Sequence, residues 1–322
     1  MSLSILGTGS ALPSRAVANE EFTRIVDTSD EWIVSRTGIR SRRVITGETL
    51  TELAAAAGRS ALQNAGAAAD ELDLILCTTI QGDYITPSLA NLLQRDLGAD
   101  CPAFDINAAC CGFLYGLDAA QAYLAAGKAR RVLLVSAEQM SKFTDWTDRA
   151  TCILFGDGAA AVVLGPGEAL QYIRVRSMGC TDSLHIPAPA RATPFSDRER
   201  ETGPSFLYMH GQNVFKFAVS SCAEGIRRAL DALNLTADDI AHFLLHQANG
   251  RILDAVRREL GQPKEKFPGN LDRTGNISSA SIPCLLDEMN RQGRLKPGRR
   301  LLLGAFGSGL ATGTCVLAWG KE

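Results

Sequence analysis

The sequence lacks any apolar run as long as the ~18 residues that a membrane-spanning helix requires. Its first residues also lack a basic segment followed by an apolar stretch and a small-residue cleavage site, which would mark a secretory signal. Basic and acidic residues are nearly equal in number, with 33 Lys and Arg against 35 Asp and Glu, which gives a formal charge of −2. Such a balance gives no overall attraction to nucleic acid or to an anionic membrane. We therefore expect a cytoplasmic protein with neither of these partners.

Metal-binding spacing is also missing. The 9 cysteines form no C-x-x-C pair, and no His/Cys cluster has the spacing of a zinc site. Their odd number argues against a disulfide scaffold as well. Free cysteines usually behave as small buried apolar side chains. The sequence thus predicts neither a structural metal nor a disulfide framework, and a reactive thiol has to be identified by its position.

What is present is a repeat. The chain has 322 residues, and 46% of them are apolar. This length exceeds the usual size of one simple domain and predicts two halves. The segment A-L-Q-N-A-G-A-A-A-D-E-L-D-L-I-L-C at Ala61 aligns with A-L-D-A-L-N-L-T-A-D-D-I-A-H-F-L-L at Ala229, an offset of 168 residues. R-R-V-L-L at Arg130 aligns with R-R-L-L-L at Arg299, an offset of 169. Two matches in the same order indicate an internal duplication.

Within each half, helix-like and strand-like segments alternate. Both halves have a helix that ends in Leu-Gly, at Leu97-Gly98 and at Leu260-Gly261, followed by a strand-like run and another helix. This alternation favours parallel βαβ units in a layered α/β architecture.

The two halves are expected to meet in the turn L-G-P-G-E. We therefore divide the chain into residues 1–166 and residues 167–322. The segment Cys180–Ser205 is rich in Pro, Ser, Thr and charge, and we interpret it as a long surface excursion within the second half.

Two adjacent cysteines lie at a junction in the first half. In D-I-N-A-A-C-C-G-F, Cys110 and Cys111 follow a strand-like run and precede a helix-like one. A cysteine at a helix N-terminus lies near a positive partial charge and free N–H groups, which favour the thiolate. Neighbouring residues on a helix differ by about 100°, so only one of the two can face a given pocket. From these residues alone, each cysteine is either reactive or a small packing residue.

His246 and Asn276 lie at similar junctions in the second half. His246 follows a buried strand, in L-H-Q-A-N, and Asn276 precedes the helix that corresponds to the one after the paired cysteines. Either residue could instead be structural, the histidine as a hydrogen-bonded core residue and the asparagine as a turn or N-cap residue. In open α/β sheets, sites form where strands end and helices start. A two-fold repeat would bring such ends together, which predicts a site shared with Cys110.

Eight ordered motifs identify a family that covers nearly the whole chain. They are L-P-S-R-A-V-A-N-E-E at Leu12, T-S-D-E-W-I-V-S-R-T-G-I-R at Thr28, D-I-N-A-A-C-C-G-F at Asp105, F-G-D-G-A-A-A at Phe155, G-Q-N-V-F-K-F-A at Gly211, H-Q-A-N at His246, N-I-S-S-A-S-I-P at Asn276 and G-A-F-G-S-G at Gly304. The sequence resembles type III beta-ketoacyl-acyl-carrier-protein synthases, condensing enzymes of the thiolase superfamily that initiate fatty acid synthesis. The resemblance implies a thiolase-like fold, in which two repeated βαβ-type halves form a layered α-β-α-β-α sandwich.

The resemblance also implies a mechanism and assigns roles. The nucleophile of the family follows A-A and precedes a small residue and G-F, which selects Cys110 and leaves Cys111 as a packing residue. An acyl group would pass from acyl-coenzyme A to Cys110, with the backbone N–H groups of Cys110 and Ser308 as the oxyanion hole. His246 and Asn276 would stabilise the enolate that malonyl-acyl-carrier protein forms on losing carbon dioxide. No metal or other cofactor is implied.

Further residues are assigned to the substrates and partners by the same resemblance. The coenzyme A contacts would be Trp32, stacked on the adenine, with Arg36 and Arg149 nearby and with Gly211, Phe215, Ala248 and Asn249 along the pantetheine arm. The acidic carrier protein would dock on Lys216, Arg251, Arg257 and Arg258. The alternatives are a core aromatic for Trp32 and a solvated charged face for the basic cluster. The family also forms homodimers, which we expect here.

The sequence departs from the family pattern near the acyl pocket. Thr86 stands where short-chain members often carry an aromatic that closes the pocket from the partner subunit, so we expect longer or branched acyl groups to fit. G-L-A-T-G replaces the more usual G-x-T-W-G, and N-I-S replaces N-T-S. Because of both changes, the sequence does not specify which acyl primer is used.

Three other functions stay open at this point. A type III-like ketosynthase or an acyltransferase of secondary metabolism would use the same Cys, His and Asn, although the retained Asn276 favours decarboxylative condensation. A carrier-binding protein without activity is a second alternative, and the three retained polar residues argue against it. A cysteine hydrolase is the third, and it requires the histidine to act as the base of the cysteine.

Overall fold

The computed structural model describes residues 2–188, 195 and 205–320. Its strands are β1 (Ser2–Ala11), β2 (Ala16–Ala18), β3 (Ser41–Arg43), β4 (Leu74–Thr78), β5 (Ala103–Ile106), β6 (Val132–Gln139), β7 (Asp157–Gly167), β8 (Leu170–Cys180), β9 (Leu184–His185), β10 (Tyr208–Met209), β11 (Ile240–Leu245), β12 (Arg300–Gly307) and β13 (Gly309–Ala318). Its α-helices are α1 (Asn19–Phe22), α2 (Asp30–Thr37), α3 (Leu50–Ala65), α4 (Leu89–Leu97), α5 (Gly112–Ala125), α6 (Gly211–Ala232), α7 (Gly250–Glu259), α8 (Leu271–Thr274) and α9 (Ser281–Arg291). Short 3-10 helices span Ala69–Glu71, Ala109–Cys111, Met140–Phe143, Ala237–Asp239, Lys264–Lys266 and Ser278–Ala280.

Two sheets carry the duplication. The first has the order β1-β7-β6-β4-β5, and the second has the order β11-β12-β13-β8. In each sheet the central pairing is parallel, β4 with β6 and β11 with β12, and the strands that follow pair antiparallel. The second sheet therefore repeats the first, except that it has no counterpart of β5 among the described residues.

The missing counterpart corrects one expectation. A strand-like run was predicted after Leu260-Gly261, but residues Lys264–Lys266 form a 3-10 helix and the chain then forms α8. Pro268 interrupts this stretch, and a proline cannot donate to a strand ladder. Further along, Asn276 forms an isolated bridge with Phe155 of the first half. The predicted helix ends are confirmed, because Gly98 and Gly261 both adopt positive φ just beyond α4 and α7.

Five layers are stacked. α5 contacts β4 and β6 of the first sheet and β8 and β13 of the second, and α9 likewise contacts both sheets. The pair α3 and α4 covers the outer face of the first sheet, and α6 and α7 cover that of the second. This is the predicted α-β-α-β-α sandwich. Because both faces of each sheet are covered, the central strands are almost uniformly apolar, and β6 is buried along all but its last residue.

The repeat brings two equivalent turns together at the middle layer. Ala109 and Ser278 begin the 3-10 helices that precede α5 and α9, and both adopt positive φ, 45° and 47°. In both turns an asparagine two residues earlier accepts a hydrogen bond from the backbone N–H, Asn107 from Ala109 (3.2 Å) and Asn276 from Ser278 (2.9 Å). The two 3-10 helices contact each other. The two equivalent turns therefore lie side by side.

The predicted boundary and excursion fall at defined places. β7 ends at Gly167 and β8 begins at Leu170, so the division after residue 166 lies at the connection between the sheets. The excursion Cys180–Ser205 begins at the end of β8, and β9 within it pairs antiparallel with β10. Its residues 189–194 and 196–204 lie outside the described residues. In the described ranges, no helix combines the length and the apolarity needed to cross a membrane.

Candidate active site

A cavity of about 730 Å³ opens between the two halves of the molecule. Its walls include Trp32 from α2, Cys110 from the first 3-10 turn of the pair, His246 beyond β11 and Asn276 before α9. The structure therefore places the three residues singled out in the sequence on one shared cavity. Its volume is in the range of pockets that enclose small ligands.

The two adjacent cysteines, Cys110 and Cys111, have different surroundings. Cys110 is partly buried and lines the cavity, whereas Cys111 is fully buried in the core between the sheets. The backbone of Gly307, at the end of β12, packs against Cys110, and a Cβ at Gly307 would lie 2.8 Å from the Cys110 Cβ. Ser278 Oγ lies 3.6 Å from the Cys110 Sγ as a hydrogen-bond partner.

The protonation state of Cys110 differs from the expectation. Burial raises the pKa of the Cys110 thiol to about 12, and the hydrogen bond from Ser278 opposes this only in part. The negative charge of Glu138 raises the pKa further. The prediction that the helix terminus favours a thiolate is therefore wrong for the unliganded site, because desolvation of the sulfur outweighs the favourable terms.

His246 is held as a neutral imidazole. Its side chain is buried, its backbone N–H donates to the carbonyl of Gly304 (2.8 Å), and its ring packs edge-on against Phe306 with centroids 5.4 Å apart. Burial lowers the pKa of His246 to about 3. Within the described residues, its Nδ1 has no hydrogen-bond partner. Such a ring can offer a neutral N–H donor to the cavity but resists gaining a proton.

Asn276 is fixed by its backbone and by its carbonyl oxygen. Its N–H donates to Leu154 (2.9 Å), and its main-chain carbonyl accepts from Gly156 (3.0 Å). The side-chain Oδ1 accepts from the Ser278 N–H (2.9 Å). Because this oxygen is engaged, the NH₂ group is the part of Asn276 that can donate to a ligand.

The remaining backbone element at the nucleophile is the turn between β12 and β13. Ser308 lines the cavity, and its Oγ donates to the carbonyl of Leu184 (2.8 Å). Together with the close packing of Gly307 on Cys110, this contact fixes the turn beside the sulfur. The backbone of Gly307 and Ser308 therefore lies beside Cys110 at the cavity.

Basic and aromatic residues also line the cavity. The Trp32 ring is half-buried, with the guanidinium carbons of Arg149 and Arg36 at 4.6 and 5.9 Å from its centroid. Arg36 lines the cavity, whereas Arg149 reaches it only through the Trp32 ring. The other expected coenzyme A residues that line the cavity are Gly211, Phe215, Ala248 and Asn249.

The expected docking residues divide into two pairs. Lys216 and Arg251 line the cavity, and Arg251 lies 6.0 Å from the Phe215 ring. Arg257 and Arg258 lie at the end of α7, away from the cavity walls, and both form ion pairs with Asp254. Their positive charge is partly neutralised there.

Thr86 is exposed on the loop between β4 and α4 and lies outside the cavity of its own chain.

The sequence and the structure have close relatives. A family model described as 3-oxoacyl-[acyl-carrier-protein] synthase III matches residues 104–179, and a model of the C-terminal part of the same enzyme matches residues 230–319. A beta-ketoacyl-[acyl-carrier-protein] synthase III from Clostridium acetobutylicum is 42% identical, over 99% of both chains. One from Xanthomonas campestris is 43% identical, over 98% of both chains. This chain belongs to the 3-oxoacyl-acyl-carrier-protein synthase III family.

Solved structures of the synthase III family superpose on the whole chain. The enzyme from Aquifex aeolicus has a TM-score of 0.91 at 40% identity, with 98% of this chain and 99% of that one covered. The enzyme from Pseudomonas aeruginosa has a TM-score of 0.92 at 37% identity, covering 100% and 99%. A priming beta-ketosynthase of the R1128 polyketide pathway also matches, with a TM-score of 0.91 at 35% identity. The predicted thiolase-like fold is confirmed.

Two polar residues of this synthase III site were not found from the sequence. Ser278 contacts the Cys110 sulfur, and Glu138 lies directly behind Ser278, 1% exposed. A signal for Glu138 exists, because it is an acid in the otherwise apolar strand V-L-L-V-S-A-E-Q, and a carboxylate is rarely buried without a purpose. Ser278 carries no such signal, since small hydroxyl residues before a helix are common.

Proposed function

We propose that this protein is a beta-ketoacyl-acyl-carrier-protein synthase III that starts fatty acid synthesis. In the first step an acyl group moves from acyl-coenzyme A to Cys110, and in the second step it is joined to malonyl-acyl-carrier protein. The observation that carries the proposal is the single cavity on which Cys110, His246 and Asn276 meet, together with aromatic and basic residues.

The acyl transfer uses the sulfur and two backbone donors. The Cys110 Sγ attacks the thioester carbonyl and gives up its proton to an acceptor beside the sulfur, and coenzyme A departs as a thiolate that takes a proton from solvent. The negative oxygen that forms on the carbonyl is held by the N–H groups of Cys110 and Ser308, which are fixed before the reaction and therefore lose little on binding it. The covalent intermediate divides one difficult exchange into two easier ones.

The condensation uses neutral donors. The malonyl group loses carbon dioxide, and the resulting enolate oxygen accepts hydrogen bonds from His246 and from the NH₂ group of Asn276. A neutral imidazole suits this step, because burial keeps the pKa of His246 at about 3. The enolate carbon then attacks the acyl-Cys110 carbonyl, and the Cys110 thiolate leaves. The steps need a thiol, an acceptor for its proton and hydrogen-bond donors, so the proposal requires no metal or redox cofactor.

The substrates share the cavity entrance. The Trp32 ring with Arg149 and Arg36 forms a surface suited to an adenine and its phosphates, through stacking and ion pairing. Lys216 and Arg251 are available at the cavity for an acidic carrier protein. Arg257 and Arg258 would have to give up their ion pairs with Asp254 to bind the carrier protein, so we expect them to contribute less to its docking.

A homodimer is part of the proposal. β5 is an edge strand, hydrogen-bonded on one side only to β4, and it exposes Phe104. The nearby loop exposes Tyr84 and Ile85, which are 59% and 82% accessible. An apolar edge of this kind is usually covered by another chain. A cytoplasmic location also remains a prediction from the sequence.

A ketosynthase of secondary metabolism is the second candidate, and one observation favours it. The R1128 priming ketosynthase matches this chain almost as well as the fatty acid enzymes do, with a TM-score of 0.91. The two candidates share the chemistry at Cys110 and differ in the primer and in the carrier protein. Assays with the carrier proteins of the two pathways would separate them.

The test of the proposed function follows the covalent intermediate. Intact-protein mass spectrometry after mixing with acyl-coenzyme A should show one acyl adduct on the wild type and on Cys111→Ala, and none on Cys110→Ala. Added malonyl-acyl-carrier protein should consume the adduct and yield a beta-ketoacyl carrier protein. Release of the free acid instead would show a hydrolase, and an adduct that persists in Cys110→Ala would contradict the assignment of the nucleophile.

A further inference from the structure

A buried carboxylate lies behind the nucleophile and is not used by the mechanism given above. Glu138 is the last residue but one of strand β6, and its Oε2 accepts from the backbone N–H of Ile80 (3.0 Å). Its Oε1 accepts from the hydroxyls of Ser278 (3.1 Å) and Ser279 (2.6 Å). Both oxygens are thus satisfied, as a buried carboxylate requires.

Ser278 joins this carboxylate to the reacting sulfur. Its Oγ lies 3.1 Å from the Glu138 Oε1 and 3.6 Å from the Cys110 Sγ. A hydroxyl has one proton, and an ionised carboxylate is a stronger acceptor than sulfur. When Glu138 is ionised, the Ser278 proton is therefore donated to Oε1, and the lone pairs of Oγ are left to accept the thiol proton of Cys110. The three groups form a continuous path for a proton.

We propose that Glu138 stores the Cys110 proton for as long as the acyl group occupies the sulfur, with the Ser278 hydroxyl as the relay. As the sulfur–carbon bond forms, the S–H bond breaks, and its proton passes to the Ser278 Oγ. The original Ser278 proton passes at the same time to the Glu138 Oε1. This step rests on the proposed function, because it needs an acyl-enzyme.

The protons are balanced over the two half-reactions. Coenzyme A leaves as a thiolate and takes its proton from solvent. When the enolate later attacks the acyl-enzyme, Cys110 leaves as a thiolate, and the proton held on Glu138 returns to it through Ser278. Glu138 thus ends ionised, ready for the next cycle, and no further acid or base is needed.

The surroundings of Glu138 support this role. Burial raises the pKa of Glu138 to about 7, so the carboxylate can be ionised in the resting enzyme and can also hold a proton near neutral pH. The titratable and charged groups around it are Cys77 of β4, Cys110 and Lys142, whose Nζ donates to the carbonyl of Gly82 (2.9 Å). Lys142 favours the ionised carboxylate, and the thiols are neutral.

The alternative base is His246, and the structure argues against it. In the described part of the chain, the hydrogen-bond partner of the Cys110 sulfur is the Ser278 Oγ, at 3.6 Å, and not the imidazole. The pKa of His246, about 3, also makes it a far weaker proton acceptor than Glu138. Because Glu138 acts through Ser278 and touches no reacting atom, it is a positioning residue that also stores a proton.

The first experiment uses the unmodified enzyme. Rapid-mixing infrared difference spectra of the wild type at about pH 8, where Glu138 is ionised before acylation, should show a protonated carboxyl band that appears together with the acyl adduct, before the carboxyl group equilibrates with solvent. Intact-protein mass spectrometry on the same sample verifies the acyl adduct. A full adduct without the carboxyl band would overturn the relay and leave the proposed function standing, whereas absence of any adduct would overturn both.

The second experiment measures the acylation rate in single turnovers across pH. In the wild type the rate should rise with pH through about 7, because only the ionised carboxylate can accept the proton. Glu138→Gln should lower the rate by about 100-fold, abolish this rise and remove the carboxyl band. Glu138→Asp should restore the rise at a reduced rate, because it keeps the carboxylate. Glu259→Gln, which alters a surface ion pair with Arg227, should behave as wild type.

Ser278→Ala separates the relay from a general effect on folding. Alanine suits this backbone, because Ala109 has nearly the same positive φ at the equivalent turn of the other half. This variant should lower the acylation rate as Glu138→Gln does and should lose the carboxyl band. An acylation rate and pH profile equal to those of the wild type, in either folded variant, would overturn the proposal. If neither variant folds, the wild-type spectrum decides.

Discussion

At the residue scale, burial decides the protonation of the candidate site. The same desolvation that keeps the Cys110 thiol protonated also keeps His246 neutral, since each charged form would lose its hydration. The positive partial charge at a short 3-10 turn is too weak to reverse the rise in the pKa of the Cys110 thiol that desolvation causes. The site is therefore one of neutral donors, and its nucleophile needs an acceptor for its proton during attack.

The two neutral donors can be tested apart from the nucleophile. His246→Ala and Asn276→Ala should each slow the condensation by about 10²–10³, because each removes one preorganised donor to the enolate oxygen. The acyl adduct on Cys110 should still form in both. Rapid-quench analysis of the pre-acylated enzyme with malonyl-acyl-carrier protein measures the loss.

The matched control is His242→Ala, on the strand that leads to His246 but outside the cavity walls. It should condense at the wild-type rate. Since His246 keeps its neutral form well below neutral pH, the condensation rate of pre-acylated wild type should also not fall as the pH is lowered from about 8 to about 5. A fall with a midpoint near the ordinary histidine pKa would show that the ring is not neutral through burial.

At the element scale, the close approach of β12 to the 3-10 turn at Cys110 holds the nucleophile in position. Gly307 permits it, because any Cβ there would lie 2.8 Å from the Cβ of Cys110 and 3.2 Å from its backbone nitrogen. The backbone of the turn cannot yield as a flexible side chain could. The proposed oxyanion donors and the sulfur would therefore be positioned by the same contact.

Gly307→Ala should consequently displace the turn. We expect it to lower the free energy of unfolding by about 1–3 kcal/mol, as overpacking in a core does, and to slow acylation more than it slows substrate binding. Denaturant unfolding and single-turnover acylation measure the two effects. Gly179→Ala in β8, where a Cβ would have no neighbour within 4 Å, is the control. Equal acylation rates in the two variants would show that the turn tolerates the methyl group.

The element scale also shows where the sequence pattern failed. The repeat predicted matching helices and strands, and Gly98 and Gly261 end their helices as expected. The strand after Leu260 was wrong because the pattern was carried over from the first half without weighing Pro268. Asn276, beyond this stretch, is instead bridged to Phe155 of the first half.

At the scale of the whole molecule, we expect the acyl pocket to depend on the proposed dimer. Thr86 is exposed and does not line the cavity of its own subunit. It lies next to the apolar patch that includes Tyr84 and Ile85, where we propose the dimer contact. In a dimer it would reach the pocket of the partner, and a small side chain there would leave room for a long acyl group.

This gives a prediction about chain length. The wild type should acylate with decanoyl-coenzyme A at a rate comparable to that with acetyl-coenzyme A, and Thr86→Phe should lower the decanoyl rate while sparing the acetyl rate. Initial rates of adduct formation measure both, and sedimentation gives the oligomeric state. Thr46→Phe, on an exposed loop outside the cavity, serves as the control. Strict acetyl preference in the wild type would contradict the prediction.

The sequence by itself determined the layered α/β fold, the family and the candidate nucleophile, because repeats, helix ends and ordered motifs are local properties of the chain. Cys110, His246 and Asn276 could be selected in the same way. The tertiary structure alone decided what surrounds them: the protonated sulfur, the neutral imidazole and the path from Cys110 through Ser278 to Glu138. Burial and contacts between residues 138, 110 and 278 arise only when the two halves pack together, and no local pattern records them.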